Sequence, residues 1–296
     1  MRLSQLPPPR PGELLVVVGP TASGKSALAV ELALLHDAEI VGADSVQVYR
    51  RFDRGSGKPG VEELSRVRHH LIDVADAKAP LDAAAFVALA DAAIADARGR
   101  GKAVVVCGGS FLWVRALLFG LADGLPRDQA VRERHEEEAR LDGREALHAR
   151  LREVDPAAAA RLHPNDLLRV SRALEVFELT GRTLSDAQAA HGFTTARHAH
   201  RLVALGRARA ELERRISERT RGFLASGLVE EVRALVSDGY GDTRAMGSVG
   251  YRQVKQHVDG ALPAEALADE IDRATRVFVR RQRTWLRDEQ VTLVEP

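Results

Sequence analysis

An apolar run, Leu14–Val18, leads directly into Gly19-Pro20-Thr21-Ala22-Ser23-Gly24-Lys25-Ser26, and a helix-forming stretch follows. The octapeptide fits G-x-x-x-x-G-K-[ST] without a mismatch, in the strand–loop–helix setting that gives the pattern its meaning. Glycines let successive backbone N–H groups turn toward an anion, and the helix adds its positive N-terminal end. Lys25 supplies a mobile charge for phosphate oxygens, and the Ser26 hydroxyl can ligate a magnesium ion. A chain built this way handles a diphosphate or triphosphate. The loop alone does not say whose.

Further apolar runs suited to buried parallel strands are Glu39–Val41, Ala103–Cys107, Leu202–Leu205 and, more weakly, Val291–Val294. Helical patterns lie between them at Lys25–Leu35, Asp82–Arg98 and Phe111–Phe119. Strand–helix alternation around a phosphate loop predicts a three-layer α/β core of the P-loop, kinase-like kind, with a mainly parallel sheet. The alternation then stops. From about Arg127 to Ala190 only helical pattern occurs, at Asp128–Leu141, Arg144–Val154, Pro156–Leu162 and Asp166–Leu179. This reads as an all-helical insertion, 127–190, between core segments 1–126 and 191–296. Ala208 to Arg287 is again helical before a last strand.

Composition narrows the class. The net charge of +1 excludes a grossly basic protein, so any contact with nucleic acid must come from local clustering. Cys107 is the one cysteine, which excludes a disulfide framework and a cysteine-rich zinc site. No run approaches the ~18 apolar residues of a membrane span. The opening MRLSQLPPPRPGE lacks the apolar core of a signal peptide. A cytoplasmic, monomeric enzyme with no membrane partner is expected.

Several constellations could carry chemistry. Nucleotide hydrolases commonly add an apolar strand ending in Asp to hold magnesium and position water. Here AVVVC ends in Gly108-Gly109, and only HHLIDV, with Asp73, imitates that feature, which argues against water-activated hydrolysis. In GADSVQVYR, Asp44 follows the second strand, where ligands of α/β sheets bind. It could take a proton from a nucleophile, cap a helix or ligate magnesium. In CGGSFLW, Ser110 presents a hydroxyl at a helix start, as a cap or a substrate contact. In HPNDLLRVSRALEV, Arg169 and Arg172 share a helix face, as a solvated surface or a phosphate clamp. Arg273, Arg276, Arg280, Arg283 and Arg287 recur at helical steps, with Ile271, Ala274, Phe278 and Trp285 expected opposite. That stripe favours an anionic partner.

Taken in order, GPTASGKS, ADSVQVYR, GSGKP around Lys58, HHLIDV, CGGSFLW, HPND with RVSRALEV, SGLVEEV, MGSVGYRQ and RQRTW make a recognisable set. The chain resembles the bacterial tRNA dimethylallyltransferases (tRNA isopentenyltransferases) along nearly its whole length. The resemblance implies transfer of a dimethylallyl group from dimethylallyl diphosphate to the N6 amine of adenosine-37, 3′ of the anticodon in tRNA, with Mg2+ as cofactor. It implies that Gly19, Pro20, Thr21, Ala22, Ser23, Gly24, Lys25 and Ser26 hold the diphosphate, with Ser26 on the metal and Arg209 as a further diphosphate ligand. Asp44 matches the general base, which also recognises the adenine. Ser45, Val46 and Gln47 match its tRNA-contacting neighbours. Ser110 stands where threonine is usual and keeps the hydroxyl. Arg132 and the run Leu168, Arg169, Val170, Ser171, Arg172 match tRNA contacts in the insertion, and Arg276 and Arg280 of the stripe are expected to join them.

The expected mechanism follows from the substrates. Allylic diphosphates ionise readily, so positive charge grows on the prenyl group while the leaving diphosphate gains negative charge. Loop amides, Lys25, magnesium and Arg209 would stabilise the leaving group. The adenine must leave its stack at a cost of about a few kcal/mol, offset by contacts from Asp44 and Ser110. The rival readings are an ATP-dependent small-molecule kinase, a prenyltransferase acting on free adenine nucleotides, and a non-catalytic RNA-binding protein.

Overall fold

The protein is described by a computed structural model over residues 3–122, 124–287 and 289–295. The first strand, β1 (Leu14–Val18), is wholly buried and runs through the phosphate loop into α1 (Lys25–Leu35). Next come β2 (Ala38–Gly42), α2 (Val61–Arg66), the two-residue β3 (His69–His70), α3 (Ala83–Gly99), β4 (Ala103–Gly108) and α4 (Phe111–Phe119). Five helices follow: α5 (Gln129–Leu141), α6 (Arg144–Val154), α7 (Pro156–Arg161), α8 (Leu167–Thr180) and α9 (Leu184–His191). The chain then returns through β5 (His200–Leu205), α10 (Arg209–Ala225), α11 (Leu228–Ser237), α12 (Tyr251–Val258), α13 (Ala264–Arg287) and β6 (Val291–Val294).

The six strands lie in the order β3-β2-β4-β1-β5-β6, and every pairing is parallel. β1 is central, with Val16 opposite Val106 on one side and Leu202 on the other. Its alternate side chains enter different cores, as strand geometry requires. Leu14, Val16 and Val18 face the large cluster that includes Phe86, Val114 and Leu235, whereas Leu15 and Val17 meet Leu28 and Leu32 of α1. Cover on both faces explains why the strand reads as an unbroken apolar run. The three-layer α/β core follows. β2 and β5 lie on opposite sides of β1, so a crevice opens at the carboxyl ends of the central strands.

Residues 1–119 and 196–296 form one compact unit, and 120–195 form a second, all-helical one. Against the expected span of 127–190, the helical unit takes in more chain at both ends. Arg172 of α8 binds the carbonyls of Leu125 and Pro126, and His191 reaches Gly120 O, so these flanking loops belong with the helices. The helical core is Leu147 and Leu151 of α6 against Val170, Ala173 and Leu174 of α8, with Ala158 and Ala159 of α7 filling the angle.

The α13 helix differs from expectation. Its buried face is Leu267, Ile271, Thr275, Val279 and Gln282, not the set ending in Phe278 and Trp285. Phe278 is 39% exposed, on the wall of the cavity described next. Among the described residues, no helix is long and apolar enough to cross a membrane.

Candidate functional site

The phosphate loop is held open by arginines from the chain's last third. Arg207 Nε donates to Ser23 O at 2.7 Å, and Arg215 Nε to Ala22 O at 2.9 Å. Carbonyl and N–H point in opposite directions in a trans peptide, so the grip on Ser23 O turns the Gly24 N–H away from Arg207. Gly24 caps α1 in the left-handed region, at φ 95°, where a side chain would be strained and would crowd Leu205 and Arg207. The Ser23 hydroxyl is buried with no partner among the described residues. Such an orphan inside an anion loop fits a missing phosphate oxygen.

Lys25 reaches into a cavity of about 540 Å³. Burial pulls its pKa down, nearby Arg219 adds to the fall, and Cys107 and Asp44 oppose it. Beside it, β2 and β4 end almost in contact: a Cβ at Gly108 would overlap Ala43 O, so glycine alone permits the approach. That closeness brings Asp44 and Ser110 together. The Asp44 Oδ1 atom accepts from the N–H groups of Val46, at 2.9 Å, and Gln47, at 3.3 Å. No protein donor among the described residues takes Oδ2, and Asp44 lines the cavity. Ser110 Oγ accepts from Ser45 N at 2.9 Å and donates to Ser45 Oγ at 3.1 Å. The result is a carboxylate beside paired hydroxyls, facing a cation.

The remaining walls come from α10 and α13. Ile216, Phe223, Ile271 and Phe278 supply apolar surface, and Arg219, Arg273 and Arg281 supply charge. Arg219 is the best placed of these. Burial opposes its charge, attraction to Asp44 favours it, and it lies over Phe223 at 4.6 Å with only a 3.4 Å bond to Ser56 O. Among the described residues, neither Lys25 nor Arg219 has an ion-pair partner within 4.0 Å.

Thr21, Lys25, Asp44, Ser45, Val46 and Ser110 therefore share one cavity. Gln47 lies at its back, where its amide donates to the carbonyls of Ser56 and Gly57. Ser26 is exposed on the first turn of α1. Arg209 is a correction: its side chain is 83% exposed and paired with Glu213 at 2.8 Å, outside the cavity. It opens α10, and the arginine facing the site is ten residues further along the same helix. A sequence signal for Arg219 exists, because it falls within the apolar spacing Leu212, Ile216, Phe223.

The helical unit also redistributes the expected contacts. Val170 and Ser171 are buried, so neither side chain offers a surface contact. Arg132 and Arg172 both bind the buried Glu175. Burial works against the Glu175 charge, but the bonds from Arg132, the Asp128 N–H and Arg172 outweigh it and hold the carboxyl below its usual range. Leu168 and Arg169 are exposed, the latter near Asp166 at 3.2 Å. In the α/β unit, Arg276 leans on Asp272 at 3.5 Å, and Arg280 is exposed. Asp73 is spoken for by Lys58, which binds it at 2.5 Å together with Asp53 and Tyr49 O, so it acts as a loop tie. Sequence reasoning also left roles unassigned to Ser56, to Gly247–Gly250, to Arg252 and Gln253, and to Gln282, all of which border the cavity.

For a metal, the described residues contain no cluster of His, Cys, Asp or Glu able to hold one. The donors at hand are oxygens: the Ser26 hydroxyl and whatever phosphate the loop holds. That set suits magnesium, which keeps its waters and binds largely through substrate phosphates.

Comparison with known proteins finds relatives along nearly the whole chain. The IPP transferase family model covers residues 47–289. A tRNA dimethylallyltransferase of Sorangium cellulosum is 61% identical over 97% of this chain and 91% of its own length. One from Geobacter metallireducens is 49% identical, over 95% and 92%. The crystal structure of a tRNA isopentenylpyrophosphate transferase from Bacillus halodurans superposes with a TM-score of 0.71 at 33% identity, covering 96% of this chain and 90% of that one. A eukaryotic dimethylallyltransferase acting on tRNA shares the fold, with a TM-score of 0.79 at 22% identity over 96% and 73%.

Proposed function

The chain belongs to the IPP transferase family, and from that premise we propose that it transfers the dimethylallyl group of dimethylallyl diphosphate to the N6 amine of adenosine-37 in tRNA. One observation carries the reading: Lys25 in the phosphate loop and the Asp44–Ser110 corner open into the same partly apolar cavity. The diphosphate lies along the loop amides, Lys25 and Arg219, the prenyl chain against Ile216, Phe223 and Phe278, and the extruded adenine at Asp44 and Ser110. As the allylic C–O bond breaks, its electrons leave with diphosphate. The amine nitrogen forms the new C–N bond, and Asp44 Oδ2 takes the amine proton. A magnesium ion held by Ser26 and the diphosphate oxygens would add positive charge to the leaving group. Placing cations where charge develops is the largest single contribution such a site can make.

Exposed Leu168, Arg169, Arg276 and Arg280 are the surface candidates for contact with the tRNA. The reading carries with it a monomeric, cytoplasmic protein. An ATP-dependent kinase fits less well, because Asp73, the sequence's one imitation of the apolar-strand Asp of nucleotide hydrolases, is held by Lys58. The test is incubation with labelled dimethylallyl diphosphate and unmodified tRNA, followed by nucleoside analysis. Labelled N6-dimethylallyladenosine is expected. Unlabelled RNA, or ADP released from ATP in a parallel reaction with candidate metabolites, would overturn the reading.

A further inference from the structure

Gln282, on the buried face of α13, is 3% exposed and touches both halves of the site at once. Its Oε1 accepts the Thr21 N–H of the phosphate loop at 2.8 Å, and its Nε2 donates to Gly109 O at 3.1 Å. The two partners differ in kind, one a donor and one an acceptor, so only one orientation of the carboxamide satisfies both. Gly109 immediately precedes Ser110. A Cβ there would come within 2.7 Å of Gln282 Nε2 and 3.6 Å of Lys25 Nζ, so amide, lysine and strand end share one small space.

The rest of α13 holds this amide still. One turn on, Trp285 stacks on Phe111 of α4 at 4.1 Å and 9°, and Arg115 of α4 pairs with Glu289 at 3.0 Å. The helix that Ser110 opens is therefore clamped to the helix that carries Gln282. The β1–β4 ladder joins the two strands as far as Val18 and Gly108, and Gln282 carries the link past that point, between the loops themselves. The other bonds of the loops include those from Arg207 and Arg215 to the phosphate loop and those of Ala43 and Ser45 with the Ser110 corner.

We propose that Gln282 is a positioning residue that fixes the separation between the diphosphate loop and the nucleobase corner, and so sets the attack distance between donor carbon and acceptor nitrogen. This rests on the transfer reaction proposed above. Gln282 touches neither reacting atom. Its effect falls on alignment, which acts on turnover, and each substrate keeps its own binding groups. A misplacement near 1 Å can cost about 100-fold in rate.

The experiment measures steady-state kinetics with dimethylallyl diphosphate and an unmodified anticodon stem-loop, for wild type, Gln282→Met and Gln282→Glu. Methionine keeps length and apolar bulk but makes neither bond. We expect kcat to fall roughly 10–100-fold while both KM values stay within about threefold. Glutamate keeps the acceptor for Thr21 N–H but sets a carboxylate against Gly109 O and beside the diphosphate. It should lower kcat and also raise the donor KM. Melting curves and active-site titration correct each rate to folded enzyme. Unchanged kcat per folded molecule in Gln282→Met would overturn the inference, as would a loss confined to KM. A wild type that forms no product would instead overturn the parent reaction.

Discussion

The helical unit and the α/β cavity use arginine in opposite ways. In the helical unit the cations near the core are committed to carboxylates: Arg132 and Arg172 to Glu175, Arg134 and Arg150 to Glu178. His135 joins the second group, between Glu178 at 2.9 Å and Ser171 Oγ at 3.0 Å. In the cavity, Lys25 and Arg219 are half-buried and have no ion-pair partner among the described residues. A paired cation organises helices and has little left for a ligand. An unpaired one in a partly dry site keeps its interaction for an arriving anion, at a cost to the empty protein. The arginine pattern alone does not tell these uses apart. The carboxylate opposite does, and for Arg132, Arg134 and Arg150 it lies far off in sequence.

The sharpest way to break this comparison is at Lys25. Lys25→Met should lower kcat/KM by about 10³-fold while leaving the melting temperature equal or higher, because a half-buried charge disfavoured by its surroundings is removed. A melting temperature that fell with activity would make Lys25 structural. Glu175→Ala should show the reverse pattern, with a loss of about 3 kcal/mol in urea unfolding. Two arginines and the Asp128 N–H would be stranded. The sign with pH follows from the lowered carboxyl. Glu175 contributes its full stability above its ordinary value of 4.5, and the contribution is lost as pH falls below that through the folded-state pKa. Glu175→Gln should flatten the acid limb of a stability–pH curve, and an unchanged limb would refute the assignment.

Within α10 the contrast is sharper still. Arg219→Gln should lower turnover by about 100-fold, and Arg209→Gln should stay within about twofold. Equal effects would mean that the exposed arginine reaches the diphosphate after all. The smallest effect belongs to the surface. Arg276→Ala with Arg280→Ala should weaken tRNA affinity modestly and reduce the slope of log K against log salt by about two. A slope equal to that of the wild type would reduce that stripe to a solvated face.

Much of the core was legible because its signals are local. The limits of β1, α1, α4 and α6 fall where the apolar runs and breakers place them. The two-residue β3 was not legible, since it exists only through pairing of Ile40 and Val41 with His69 and His70. The α9 helix carried ordinary signals, a Thr183 cap on Asp186 N–H and Gly192 at its end, in a stretch read as helical without its own limits. At the site, Asp44 and Ser110 were readable from strand ends and glycines. Arg219 was hidden by its neighbour in kind: from Arg209, ten residues carry the helix about 15 Å along its axis and nearly three turns round, onto a different face. Phe278 misled in another way. It was counted toward the core, and its partial exposure puts it on the cavity wall, where the proposed reaction would seat a prenyl chain. Gln282 falls in the RQRTW stretch, but its role was not legible, because a glutamine among arginines on a polar-looking helix has no periodicity of its own.

Cys107 stands at the end of β4, with its Sγ 3.7 Å from Lys25 O and its pKa pushed up to about 11 by burial. At neutral pH only about one molecule in ten thousand then carries a thiolate there, and the thiolate is the form that reacts. On the proposed transfer, the strand end is thus kept free of a sulfur nucleophile that would compete for the electrophilic carbon. The same shift makes the lone, partly exposed thiol a slow target for maleimide, with a labelling rate that should climb tenfold per pH unit in the neutral range.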